Sequence, residues 1–189
     1  MEARSTRQRW TYAEFARLPT SGSTRYEVID GALVVTPGPG LRHQGIVATL
    51  LTRLYVFVEA NDLGRVFPGP LDVLFAEGEY YEPDIVFVRK DRSELLSDRG
   101  VEGPPDLVVE ILSPSTAARD RGIKLDRYRV FGVAEYWVID PHERNVEVWR
   151  FAEGAREPIV LEPSDTLRWM PEPGGSTLDI PLAELFGPA

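Results

Sequence analysis

The run Leu107-Val108-Val109-Glu110-Ile111-Leu112, closed by Ser113-Pro114-Ser115-Thr116, decides how the chain is read. One acidic residue among five apolar ones, with no helical period, matches a strand buried on both faces. A carboxylate inside such a strand costs free energy unless a cation or a hydrogen-bond donor meets it. Side chains alternate along a strand, so Glu110 shares a face with Val108 and Leu112. Pro104-Pro105 introduces the strand, and Ser113-Pro114-Ser115-Thr116 supplies a turn and an N-cap for a helix that runs to about Phe131. Gly132 stops that helix.

Upstream, Thr11 and Glu14 form a capping box for a short helix through about Leu18, which Pro19 to Thr24 breaks. Asp30-Gly31 is a two-residue turn signal between Tyr26–Ile29 and Leu33–Thr36, an N-terminal hairpin. From Leu41 to about Asn61, Ile46, Val47, Leu50, Leu51, Leu54, Phe57 and Val58 recur at helical spacing. The period then switches to two. Leu71 to Phe75 and Asp84 to Val88 read as an antiparallel hairpin with a loop of about six residues. Downstream, Tyr136–Ile139 and Val146–Trp149 read as a strand pair, followed by a strand at Ile159–Leu161 and a helical stretch near Leu182–Phe186. The expectation is an α/β fold with a mixed central sheet flanked by helices and a C-terminal β extension over 150–189. Residues 1–9 read as a loose arm, and 10–189 as one domain.

Composition narrows the function classes. The 189 residues carry 21 Lys and Arg against 30 Asp and Glu, a formal charge of −9. Non-specific coating of a polyanion runs on surplus cations and is excluded as the main activity, while a local basic groove is not. The absence of cysteine removes disulfides, thiolate nucleophiles and Cys-ligated metals together. No stretch approaches a membrane span and the N-terminus lacks a secretory core, so a cytoplasmic protein is expected. Only Lys90 and Lys124 are lysines in an otherwise arginine-rich set.

The acids that fall on strands are the candidates for chemistry. Asp84 follows Pro83 and shares a face with Val86 and Val88. If its strand neighbours that of Glu110, the two carboxylates converge and need a proton or a cation between them. With no Cys and only two His, that cation is a hard, oxygen-liking one such as Mg²⁺ or Mn²⁺. The following helix carries Asp120, Lys124 and Tyr128 at four-residue steps, hence on one face. Its segment 119–129 holds five basic residues against Asp120 and Asp126, as a phosphate-facing groove would. Glu27 on the first hairpin reads as an outer ligand or a surface glutamate, and His43 as a proton carrier or a satisfied buried histidine. Asp72 would add a third carboxylate beside Asp84 if the hairpin register allows. Arg121 is the next cation to consider after Lys124. Core packing is the reading for Trp10, Trp137, Trp149 and Trp169.

Pro83-Asp84, Glu110-Ile111-Leu112-Ser113-Pro114-Ser115, Asp120 and Lys124 together resemble the Uma2 family, a branch of the PD-(D/E)XK nuclease superfamily with a restriction-endonuclease-like fold. The resemblance runs through Tyr26-Glu27-Val28-Ile29-Asp30-Gly31, Arg42-His43-Gln44, Gly69-Pro70-Leu71-Asp72-Val73 and Gly132-Val133-Ala134-Glu135-Tyr136-Trp137, about residues 10 to 150. It implies a Mg²⁺-dependent endonuclease acting on DNA, with Asp84, Glu110 and the Ile111 carbonyl as ligands. The superfamily usually places lysine two residues after the strand acid, where this chain has Leu112, so the resemblance moves that role to Lys124. A silent nucleic-acid or protein binding module of the same fold, or a subunit that assembles through its Pro-rich tail, is the rival reading. A homodimer is left open.

Overall fold

The structure, a computed structural model, describes residues 9–19 and 24–187. Residues 1–8 of the expected N-terminal arm lie outside the described residues. Among the described residues, two six-stranded sheets and a two-stranded hairpin make up the β framework.

The first sheet is built from β1 (Arg25–Ile29), β2 (Ala32–Thr36), β4 (Val73–Ala76), β5 (Glu79–Tyr81), β7 (Leu96–Ser97) and β8 (Gly100–Val101), in the order β2-β1-β5-β4-β8-β7. The second holds β3 (Gly64–Pro68), β6 (Ile85–Arg89), β9 (Leu107–Ile111), β10 (Glu135–Asp140), β11 (Asn145–Arg150) and β12 (Ile159–Leu161), in the order β12-β11-β10-β9-β6-β3. Here β9 runs parallel to β10 and antiparallel to β6, so the second sheet is mixed, as expected. The hairpin β13 (Thr166–Trp169) and β14 (Leu178–Pro181) completes the set.

Helix α1 (Tyr12–Phe15) starts with the expected capping box between Thr11 and Glu14. Helix α2 (Leu41–Ala60) turns His43, Ile46, Leu50, Leu54 and Val58 inward. Helix α3 (Ala117–Arg119) passes through a π-turn, Asp120–Lys124, into α4 (Leu125–Phe131), and α5 (Leu182–Phe186) ends the fold. At Asp30 and Gly31 φ is positive (51° and 77°), the conformation a two-residue hairpin turn requires. Gly132 stops α4 in the left-handed conformation.

Alternation in β6, β9 and β10 divides the core. Ile85, Phe87, Leu107, Val109, Ile111, Trp137 and Ile139 pack against α2, the β13–β14 hairpin and α5. Val86, Val88, Val108 and Val138 face the other way, onto α4 and residues of the first sheet such as Ile29, Val73 and Tyr81. That second face also carries Glu110, which points it between the sheets and α4.

The expected hairpin of 71–75 with 84–88 is corrected. β4 pairs with β5 in the first sheet, whereas β6 crosses to the second and lies between β3 and β9. The apolar run at 84–88 was long enough to announce itself. The intervening Glu79-Tyr80-Tyr81 was too short, and only the tertiary pairing with β1 and β4 makes it a strand.

Candidate active site

The register of β6 on β9 pairs Ile85 with Val109, and one further step sets Asp84 against Glu110. Both carboxylates line a narrow cleft of about 100 Å³. Its wall includes Gly38-Pro39-Gly40 and His43 at the start of α2, Glu27 of β1, and Arg119, Asp120 and Lys124 from the broken helix. The cleft therefore draws on both sheets and two helices, and no single stretch of sequence contains it.

Lys124 stands at the centre of the cluster. Its side chain is 1% exposed, with Nζ 2.5 Å from Glu110 Oε1, 2.7 Å from Glu27 Oε1 and 3.8 Å from Asp120 Oδ1. Burial would lower the ammonium pKa, but Glu110, Glu27 and Asp120 outweigh it and raise the pKa, so Lys124 is charged. Tyr128 donates to Glu110 Oε1 at 2.7 Å, one turn further along. Thus the four-residue steps read from the sequence do bring Asp120, Lys124 and Tyr128 to one place. Lys124 is buried and not a solvated residue of the helix surface.

Burial pushes the Glu110 carboxyl up to about 8; Lys124 pulls it down, while Asp120, Asp84 and Glu27 push it further up. Asp84 behaves oppositely. Burial alone would raise its pKa, but a hydrogen bond from His43, the charge of Arg25 and the Ile111 amide outweigh it and hold it below the usual value. Arg25 donates to Asp84 Oδ1 at 2.6 Å, and Asp84 Oδ2 accepts from Ile111 N at 2.7 Å and from His43 Nε2 at 3.0 Å. An ionised carboxylate only accepts, so the His43 proton sits on Nε2. In the neutral ring Nδ1 is then a lone pair, and it is buried without a hydrogen-bond partner.

The other sequence candidates divide. Glu27 is buried rather than on the surface, and its Oε1 also accepts from Glu82 N at 3.1 Å. Asp72 is not among the residues of this cleft and lines a larger neighbouring cavity instead. Arg121 turns the other way, pairing with Glu147 at 2.6 Å and Asp140 at 3.1 Å. Arg119, two residues earlier, lines the cleft, 3.5 Å from Glu27 Oε2, and its Nε has no hydrogen-bond partner. Sequence reasoning missed Arg25, Glu82 and the cleft-lining role of Arg119. Arg25 carries no local signal, because its partner lies 59 residues away.

The resemblance read from the sequence implies a divalent cation, and the residues fit one by charge and donor type. Five carboxylates (Glu27, Glu82, Asp84, Glu110, Asp120) face three permanent cations (Arg25, Arg119, Lys124). Three of these carboxyls bind protons more tightly, chiefly because they are buried: Glu110, Asp120, and Glu82, which is pushed to about 7. Among the described residues no three acidic or histidine side chains form a ready-made metal cage. Both oxygens of Asp84 are already engaged by protein donors, so an ion at Asp84 would compete with Arg25.

Comparison with known proteins agrees with this architecture. The uncharacterised protein sll1609 of Synechocystis sp. (strain ATCC 27184 / PCC 6803 / Kazusa) is 25% identical over 154 residues, covering 80% of this chain and 86% of its own. A crystal structure from Anabaena variabilis ATCC 29413, described as "a putative nuclease belonging to DUF820", superposes with a TM-score of 0.77 at 24% identity, covering 94% of this chain and 97% of that one, and so shares the fold. The model of the Uma2 family, described as "Putative restriction endonuclease", matches residues 12–181, nearly the whole of α1 to β14, and the chain belongs to that family.

Proposed function

We propose that this protein is a divalent-metal-dependent endonuclease that hydrolyses phosphodiester bonds of DNA. The observation that carries the reading is the buried Lys124, held between Glu110 and Glu27 in the cleft that Asp84 also lines. A buried ion pair is a poor device for stability, since well-packed apolar residues do as well or better. Its value here is chemical. A charged ammonium inside a low-dielectric cleft, beside a surplus of carboxylates, suits the stabilisation of charge that develops on a transferring phosphoryl group.

Asp84 and Glu110 would hold Mg²⁺ or Mn²⁺, with the Ile111 carbonyl as the further donor the superfamily resemblance implies. When bound, such an ion supplies Lewis acidity toward a phosphoryl oxygen and lowers the pKa of water. Lys124 is positioned to neutralise developing phosphoryl charge and, through Glu110 and Glu27, to orient those carboxylates. Arg119 lines the cleft with its Nε 3.6 Å from Asp120 Oδ1, and a planar guanidinium suits a phosphate oxygen. His43 fixes Asp84 through Nε2, and its Nδ1 is buried without a hydrogen-bond partner.

Plasmid nicking with Mg²⁺, with Mn²⁺ and with EDTA tests the reading. Metal-dependent nicking that EDTA stops, and that Asp84→Ala abolishes, is the expected result. DNA binding without cleavage in either metal would instead support the silent binding module.

A further inference from the structure

Next to the catalytic cleft lies a larger cavity of about 610 Å³, inside the range of about 300–1,000 Å³ typical of ligand sites. Arg25, Pro39 and Glu82 line both spaces, so the two are adjacent. Tyr12, Phe15 and Tyr26 give the larger one flat aromatic surface. Its polar character is one-sided. The register of β4 on β5 pairs Val73 with Tyr81, and one further step sets Asp72 against Glu82. Among the described residues the Asp72 carboxyl has no hydrogen bond or ion pair, and burial raises its pKa to about 6. Glu82 Oε2 is buried and also lacks a hydrogen-bond partner.

The cations of the cavity are committed elsewhere. Arg25 binds Asp84 at 2.6 Å. Arg99 lies 4.0 Å over the Tyr12 ring and 3.5 Å from Glu102. Among the described residues a phosphate or carboxylate ligand would find two bare acceptors and no free cation, which disfavours it. The complementary ligand is flat, uncharged and rich in N–H donors. The small cleft, at about 100 Å³, admits a phosphate-sized group and leaves the rest of a nucleotide to lie outside it.

We propose that this cavity receives an unpaired guanine base of the strand whose phosphate occupies the cleft. Guanine is singled out because its pairing edge sets two N–H donors side by side at the spacing of one carboxylate's oxygens. Cytosine and adenine offer one amino group there and an acceptor beside it, which a carboxylate repels. The aromatic side chains of the wall offer apolar contact to any base, and the paired acids then select among bases. The proposal rests on the nuclease reading for the identity of the strand, but the cavity can be tested alone.

The probe is guanosine, which has no phosphate, titrated onto the full chain by calorimetry beside adenosine, cytidine and thymidine. Guanosine should bind saturably and at least tenfold more tightly than the others. Asp72→Asn should weaken it tenfold or more, and Glu82→Gln, which disturbs the fold differently, should do likewise. Absence of saturable binding, equal binding of all four nucleosides, or unchanged affinity in both variants overturns the proposal. Nicking measured on the same preparation separates the two readings. Nicking without selective guanosine binding overturns the base site and leaves the nuclease. Selective binding that both variants weaken, without nicking in any metal, upholds the base site while the nuclease reading falls.

Discussion

Lys124 reaches Glu110 across 2.5 Å from a helix that begins after the strand has ended. A lysine two positions along β9 would share the face of Glu110, but that position is Leu112, and Leu112 is packed in the apolar cluster between the sheets. The π-turn Asp120–Lys124, with Gly122 outside helical angles at φ −112° and ψ −106°, turns Asp120 and Lys124 inward together. Such widened turns recur at functional sites. The cation is therefore supplied from outside the strand at no cost to the strand's packing.

Lys124→Met keeps the volume and removes the charge. Two carboxylates lose their nearest cation, and breaking a buried pair typically costs about 3–5 kcal/mol. The loss in urea midpoint should shrink as pH falls and the acids take up protons. Cleavage should drop by about 10² or more, as for other preorganised electrostatic groups. Lys124→Arg, with a planar fork in place of a compact ammonium, should restore part of both.

Glu110→Gln tests the metal. Burial and the neighbouring acids disfavour a charge on Glu110, and the isosteric amide can still accept from Lys124 and Tyr128, so it should leave the melting temperature of the metal-free protein within a few degrees of wild type. In wild type, Mg²⁺ at a hundred times its Kd should add about 2.7 kcal/mol by mass action. Scanning calorimetry of the variant with and without Mg²⁺ should show that this gain is lost.

Arg25→Gln removes the cation that holds Asp84 Oδ1. If Arg25 and Mg²⁺ compete for that carboxylate, the variant should reach half-maximal thermal stabilisation at several-fold lower Mg²⁺. A requirement for more Mg²⁺ would show that Arg25 assists the ion instead.

Asp72 sets a pH dependence. Its folded pKa, about 6, lies above its ordinary 3.8 because burial penalises the charge. Between those values the native state holds a proton that the unfolded chain has lost, so this contribution is full below about pH 4 and disappears as pH rises through about 6. Urea midpoints of Asp72→Asn measured from about pH 4 to about pH 7 should fall less with pH than those of wild type.

Trp169 ties the C-terminal hairpin to the body. It is 2% exposed, with its ring 5.0 Å from Phe87 and 5.9 Å from Trp137, centroid to centroid. Trp169→Ala should cost about 3–5 kcal/mol, the range for large aromatic deletions in cores. Removal of residues 150–189 should prevent cooperative unfolding altogether.

The sequence by itself determined the elements whose signals are local. The Asp30-Gly31 turn, the α2 stripe, the buried run of β9 and the Gly132 stop each rest on neighbours within a few residues, and each lies where its pattern indicates. The same period-two rule set the face of Glu110, and helical spacing joined Asp120, Lys124 and Tyr128. What only the tertiary structure decided is which strands are neighbours and which charges meet. β6 and β4 sit in different sheets because the short β5 captures β4, and no residue near either strand signals that. Arg25, Glu82 and Arg119 enter the cleft because two sheets and two helices close on it. Asp72 and Arg121 leave it for the same reason. Charge pairing between distant segments follows Coulomb attraction in a buried site, whose strength depends on the burial that the whole fold creates, and a linear chain carries no record of it.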